Sequence, residues 1–154
     1  MADSIDQTDR RLLQALQERP GLTQRDLAER IGLSQNACWR RLKRLEERGV
    51  LTGAQTVIDR HALGLDLVVF TMIRTRHHSA DWLTRFHRHV VAIPEVIDVF
   101  RIAGDYDYML KIVTADMASF DRVYRSLIEL DLETVTSFFA MEAIAENRPL
   151  PVMR

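Results

Sequence analysis

The sequence predicts an α+β chain in two parts, a helix-turn-helix headpiece followed by a ferredoxin-like βαββαβ sandwich. Three observations predict it. Residues 4–48 place apolar side chains three and four apart, the spacing of amphipathic helices. From residue 67 onward, short β-branched runs alternate with further amphipathic segments. Turn-forming residues around 59–65, among them Gly64, separate the two textures. A chain of 154 residues has room for two small domains. We take these as residues 1–58, with a connecting strand at their end, a linker at 59–65, and residues 66–154.

The first helix starts at Ser4 or Asp6, carries an apolar stripe of Ile5, Leu12, Leu13 and Leu16, and ends at Pro20-Gly21. Thr23 caps the second, with Asp26 in the reciprocal position three residues on. Leu27, Ala28 and Ile31 form its inner face, and Gly32 supplies the left-handed residue that ends it. Ser34 caps the third, in which Cys38, Leu42 and Leu45 lie on one side. Gly49 stops that helix, and residues 51–58 read as an extended segment leading out of it.

In the second part, Leu67 to Thr75 is a strand of β-branched and apolar residues. Ser79 caps a helix reaching Ile93, with Trp82, Phe86, Val90 and Ile93 inward, and Pro94 stops it. Val96 to Ala103 and Tyr108 to Thr114 are strands joined by a turn at Gly104-Asp105-Tyr106-Asp107. Asp116 caps a last helix whose Phe120, Val123, Tyr124, Leu127 and Ile128 face inward. Glu133 to Ala145 is the fourth strand, before the tail RPLPVMR. Two helices cover one face of such a sheet. Apolar residues occur on both faces, Val68, Phe70 and Met72 against Val69 and Ile73, so the bare face predicts dimerisation.

Charge supports a division of labour. Residues 1–50 hold ten Lys/Arg against eight Asp/Glu, and residues 51–154 hold eleven against fourteen. A mildly basic headpiece beside an acidic remainder suits one DNA-facing domain. No apolar run approaches the roughly 20 residues that span a bilayer. The N-terminal MADSIDQTDRR is polar and acidic, unlike a secretory signal. One cysteine excludes an internal disulfide and fits a reducing cytoplasm.

The third helix carries the chemistry. Gln35, Asn36, Trp39, Arg40 and Lys43 project opposite its apolar side, as in the recognition helix of a helix-turn-helix. Amides pair with adenine and guanidinium groups with guanine, while five basic residues among the nine from Arg40 to Arg48 suit phosphates. Candidate DNA contacts are therefore Ser34, Gln35, Asn36, Trp39, Arg40, Lys43 and Arg44. Trp39 either stacks on the nucleic acid or closes the core. A plain helical hairpin with a solvated basic face is the competing reading. Cys38 reads as a small core residue rather than a thiol sensor. His77, His78, His87 and His89 lack metal-ligand spacing, and no catalytic constellation, Walker loop or GxSxG elbow occurs. We expect no enzyme, no metal and no cofactor.

The stretches IDQTDRRLLQALQ, LAERIGLSQNACWRRLKRLEERGVLTG, AGDYDYMLKIVTADMASFD and SFFAMEAI resemble the Lrp/AsnC (feast/famine) transcription regulators. HHSADWLTRF with RIAGDYDYMLKI is similar to a subgroup containing cysteine-responsive detoxification regulators. The resemblance implies a winged or near-winged headpiece and a RAM domain that dimerises, binds an amino-acid effector and assembles into octamers or other higher oligomers. It places the effector at Gly104, Asp105, Tyr106, Asp107 and Tyr108, with Ser137 and Phe138 from the last strand. Read without it, Gly104–Tyr108 is an ordinary hairpin turn with two solvated acids, though Gly104 can expose N–H groups to a carboxylate and an aspartate can take an ammonium. In one respect the sequence departs from the family: ELDLETVT lacks the Pro-Gly turn before the last strand. The expected function is a sequence-specific, amino-acid-responsive regulator on double-stranded DNA, cytoplasmic and nucleoid-associated, with no membrane partner. Two alternatives stay open, a low-specificity architectural DNA binder and an amino-acid-binding or enzyme-regulatory module without DNA.

Overall fold

A computed structural model describes residues 4–153; residues 1–3 of the expected first domain and Arg154 of the expected second lie outside it. Two compact units emerge, Met1–Ile58 together with the segment from Ala145 onward, and Asp59–Ile144.

In the first unit the local signals act as read. Helix α1 spans Gln7–Glu18 and is closed by a reciprocal capping box. The Asp6 carboxylate accepts from the Asp9 N–H at 2.7 Å, and the Asp9 carboxylate from the Asp6 N–H at 3.3 Å. Helix α2, Gln24–Ile31, is capped by Thr23 and ended by Gly32 at φ 73°. Helix α3, Gln35–Glu47, is capped by Ser34. Leu12, Leu27, Ile31, Cys38 and Leu45 are buried between them. Burial pushes the Cys38 thiol pKa up, disfavouring the thiolate that a redox sensor needs.

Two expectations are corrected here. Residues 51–58 form no strand, because no described segment pairs with them. Residues 145–153 cluster with the headpiece rather than with the second unit. Their backbone finds its partners on α1: Arg10 Nη1 donates to the Val152 carbonyl at 2.7 Å. Gln17 accepts from the Leu150 N–H at 2.6 Å and donates to the Leu150 carbonyl at 3.2 Å. A proline-rich segment lacks the N–H groups a ladder needs, and side chains satisfy it instead.

The second unit is an antiparallel sheet of order β2-β3-β1-β4. Its elements are β1 Leu67–Arg74, α4 Ala80–Val91, β2 Val96–Arg101, β3 Tyr108–Thr114, α5 Met117–Ile128 and β4 Thr134–Phe139. Ser79 and Asp116 cap the helices. The register pairs Val69 with Ile112 and Ile73 with Tyr108, so these side chains share the face beneath the helices. Trp82, Phe86, Val90, Phe120, Val123 and Leu127 pack on them. The Trp82 and Phe86 rings stack at 5.0 Å, and Phe86 meets Tyr108 at 4.5 Å.

The strands are shorter than their apolar runs. β1 stops at Arg74, β2 at Arg101 and β4 at Phe139, where neighbouring strands no longer pair with them. Ile128 is half-exposed, not inward, since it lies about 100° round the helix from the buried Leu127. The other sheet face carries Phe70, Met72, Met109, Phe100 and Phe138, the last two 50 % and 55 % exposed. The turn lacking Pro-Gly is made by Asp131 at φ 53°, a left-handed conformation that aspartate tolerates better than most residues.

Candidate DNA-reading helix and effector loop

The cap at Ser34 fixes the start of α3, and the buried Cys38 and Leu45 fix which side faces inward. Gln35, Asn36, Trp39, Arg40 and Lys43 are then exposed, as their spacing requires. The side chains of Gln35, Asn36 and Arg40 have no partner among the described residues. Trp39 is 51 % exposed, with Lys43 Nζ 5.2 Å from its ring centre, so it does not close the core. Ser34 spends its hydroxyl on the Ala37 N–H at 3.3 Å.

Arg44 behaves differently. Its Nη2 reaches the carboxylate of Asp9, which is wholly buried, at 2.8 Å. Arg41 lies beside it, with Nη1 2.7 Å from Asp9 and 2.6 Å from Asp6. These contacts hold the Asp6 pKa below its ordinary value, the Arg41 hydrogen bond contributing most. Two of the five basic residues counted for phosphates therefore neutralise buried or capping acids within the headpiece. The signal was present in the sequence: Asp9 falls on the apolar stripe, four residues after Ile5 and three before Leu12, where an acid must find a cation.

The Gly104 loop splits the predicted effector residues. Gly104 adopts φ +123°, which other residues rarely do. Arg74 Nε donates to the Asp105 carbonyl at 2.6 Å, and its guanidinium lies 5.6 Å from the Tyr106 ring centre. The Tyr106 hydroxyl donates to Thr136 Oγ1 at 3.3 Å. Asp107 is committed, its carboxylate accepting from the Thr75 N–H at 2.8 Å and its N–H donating to the Ile73 carbonyl at the same distance. Tyr108 is buried against Phe86, and desolvation raises its pKa. The Tyr106 hydroxyl thus reaches β4, while the Tyr108 ring packs under the helices. β3 begins at Tyr108, and the two rings diverge. Ser137 likewise faces the helices, 3.1 Å from Thr71 Oγ1, while Phe138 lies on the bare face.

Residues 68–150 match the Lrp/AsnC ligand binding domain, and residues 5–52 match a winged helix-turn-helix DNA-binding domain. The DNA-binding transcriptional activator DecR of Escherichia coli K12 is 42 % identical over 150 residues, covering 96 % of this chain and 99 % of that protein. The chain belongs to the Lrp/AsnC family. A crystal structure of an AsnC family transcriptional regulator from Agrobacterium tumefaciens superposes with TM-score 0.90 at 40 % identity, covering 96 % of this chain and 97 % of that one. A Neisseria meningitidis transcriptional regulator solved with L-Met gives 0.91 at 32 % identity, covering 97 % and 98 %.

As an Lrp/AsnC member the chain is a DNA-binding transcriptional regulator. Its histidines make local contacts: His77 Nε2 lies 2.8 Å from Asp131, and His89 Nε2 2.8 Å from Ser126 Oγ. No cluster of three potential metal ligands occurs among the described residues. No helix of the described residues is long and apolar enough to cross a membrane.

Proposed function

We propose that this Lrp/AsnC regulator reads its operator through Gln35, Asn36 and Arg40, with Ser34, Trp39 and Lys43 flanking them. The observation that carries this is the pattern of commitment on α3. Arg41 and Arg44 are held by Asp6 and Asp9, whereas the side chains of the three outward groups have no partner among the described residues. That is where a recognition helix meets base edges. Arg44 then supports the reading face from behind instead of touching DNA.

The effector is a small amino acid, a reading supported by the ligand-domain match and by the L-Met complex of the Neisseria relative. Gly104, Asp105 and Tyr106 are the loop residues placed to meet it, since Asp107 and Tyr108 are committed inward. The bare face bearing Phe70, Phe100 and Phe138 suits a second copy of the chain, giving a homodimer that works on the nucleoid in the cytoplasm. An effector shifts such a regulator only through different affinities for its assembly states.

Arg40→Ala tests the reading. Specific binding should weaken by about 1–3 kcal/mol on the operator and much less on scrambled DNA. Lys43→Ala should weaken both alike and flatten the salt dependence. Anisotropy titrations in which Arg40→Ala binds every duplex as the parent does would remove Arg40 from the interface. Equal losses on every duplex would make Arg40 a phosphate contact, whereas a parent protein with a small specificity ratio and strong salt dependence would favour an architectural binder. Gly104→Val should abolish the effector response while DNA binding persists; a Cβ at this position meets open space, and the positive φ makes the lesion one of backbone strain.

A further inference from the structure

On the helical side of the sheet unit, a cleft of about 260 Å³ opens between the start of α4 and the turn after α5. Its floor is the exposed edge of Trp82, backed by the wholly buried Phe86. Trp82 is held in place by its indole N–H, which donates to the Leu130 carbonyl at 3.3 Å. Its rim carries both signs of charge, Arg85 on α4 and Glu129 just past α5. Neither side chain has an ion pair or hydrogen bond among the described residues, not even with the other. The remaining rim groups are committed: Ser79 to the α4 cap at 3.2 Å, and His77 to Asp131 at 2.8 Å.

Opposite charges on the rim of one apolar floor, unpaired among the described residues, match a ligand that is anionic at one end and cationic at the other. The volume is below the ~300–1,000 Å³ of sites for drug-sized molecules, which suits one amino acid. We propose that this cleft is a second ligand site, separate from the Gly104 loop, for a zwitterionic α-amino acid with an apolar side chain. Arg85 takes the carboxylate, Glu129 the ammonium, and Trp82 the side chain. The Trp82 and Phe86 rings pack on Tyr108, at 6.5 and 4.5 Å between centres, so the ligand lies behind the effector loop and not in it.

The test uses the full-length protein in a Trp39→Phe background, which leaves Trp82 as its sole tryptophan. L-Leucine and L-phenylalanine should shift Trp82 emission saturably. N-Acetyl-L-leucine and L-leucinamide, each lacking one charge, should not. Arg85→Gln and Glu129→Gln, both at exposed positions, should each weaken L-leucine binding about tenfold with melting temperatures unchanged. Gly104→Val should leave it intact. No saturable response to either amino acid, unchanged affinity in both Gln variants, or binding of the acetylated and amidated probes would overturn the proposal. Loss of the response in Gly104→Val would also overturn it, by making the cleft part of the loop site.

Discussion

The headpiece and the sheet unit solve the same problem with different chemistry. The sheet unit buries rings: Trp82, Phe86, Tyr108 and Phe120 join aliphatic residues on one face. The headpiece has no aromatic residue in its core and buries an acid instead, Asp9, between two arginines of its recognition helix. An aromatic core is tolerant of what lies on its outer surface. A core charge is not, because it fixes which basic side chains can leave the protein for a phosphate. In the headpiece, burying Asp9 therefore withdraws Arg41 and Arg44 from the basic residues that α3 could offer to a phosphate.

The largest expected effect lies in the sheet unit. Phe86→Ala removes a wholly buried ring in contact with Trp82 and Tyr108. It should destabilise that unit by about 3–5 kcal/mol. Urea unfolding followed by Trp82 fluorescence measures this. A loss below about 1 kcal/mol would mean the site collapses easily and the contrast between the cores is overdrawn.

Asp9→Asn should cost the headpiece less, about 2–3 kcal/mol, because Arg41 and Arg44 keep 27 % and 36 % of their side chains in solvent and can rehydrate. It has a second consequence that no apolar core mutation shares. With Arg41 still held by Asp6, the loss of the Asp9 charge should let Arg44 turn toward a phosphate, raise affinity for scrambled DNA and steepen the salt dependence by up to about 0.9 in the log–log slope. A destabilised variant with the parental salt slope would show that Arg44 stays inward without its acid.

What was legible in the sequence follows the same divide. Capped helices and their inner faces could be read because Asp6, Thr23, Ser34, Ser79 and Asp116 act within three residues of themselves. β3 was read to the residue because Asp107, which precedes it, belongs to a turn. Non-local pairings were not legible. Arg44 looked free because its acid lies 35 residues away. The C-terminal segment looked like an appendage of the sheet because Gln17 and Arg10 gave no hint that they hold it. β4 was drawn too long because SFFAMEAI stays apolar beyond the point where β1 ceases to pair with it. The effector residues came from the resemblance alone, and which of them turn inward depends on the bonds of Asp107 to Ile73 and Thr75, more than thirty residues away.

The smallest effect is in pH, and it tests whether the arginine–acid cluster works as charge or as shape. Asp6 caps α1 and accepts from Arg41, which holds its pKa below the ordinary 3.8. A carboxylate depressed in the folded state stabilises fully above its unfolded value, and that stability is lost as pH falls through the folded value. Headpiece melting, followed by helical circular dichroism, should therefore be flat near neutrality and decline once pH drops below about 4. Asp6→Asn keeps a side-chain oxygen for the cap but removes the charge. It should lower the neutral-pH melting temperature slightly and make the acid decline shallower. Asp116, whose pKa is also depressed, chiefly by the Ser119 N–H, continues to titrate in the sheet unit and supplies the internal control. Asp116→Asn should flatten the sheet unit's share and leave the headpiece curve alone. If Asp6→Asn and the parent decline in parallel from pH 5 to 2, the Asp6–Arg41 contact contributes geometry without charge.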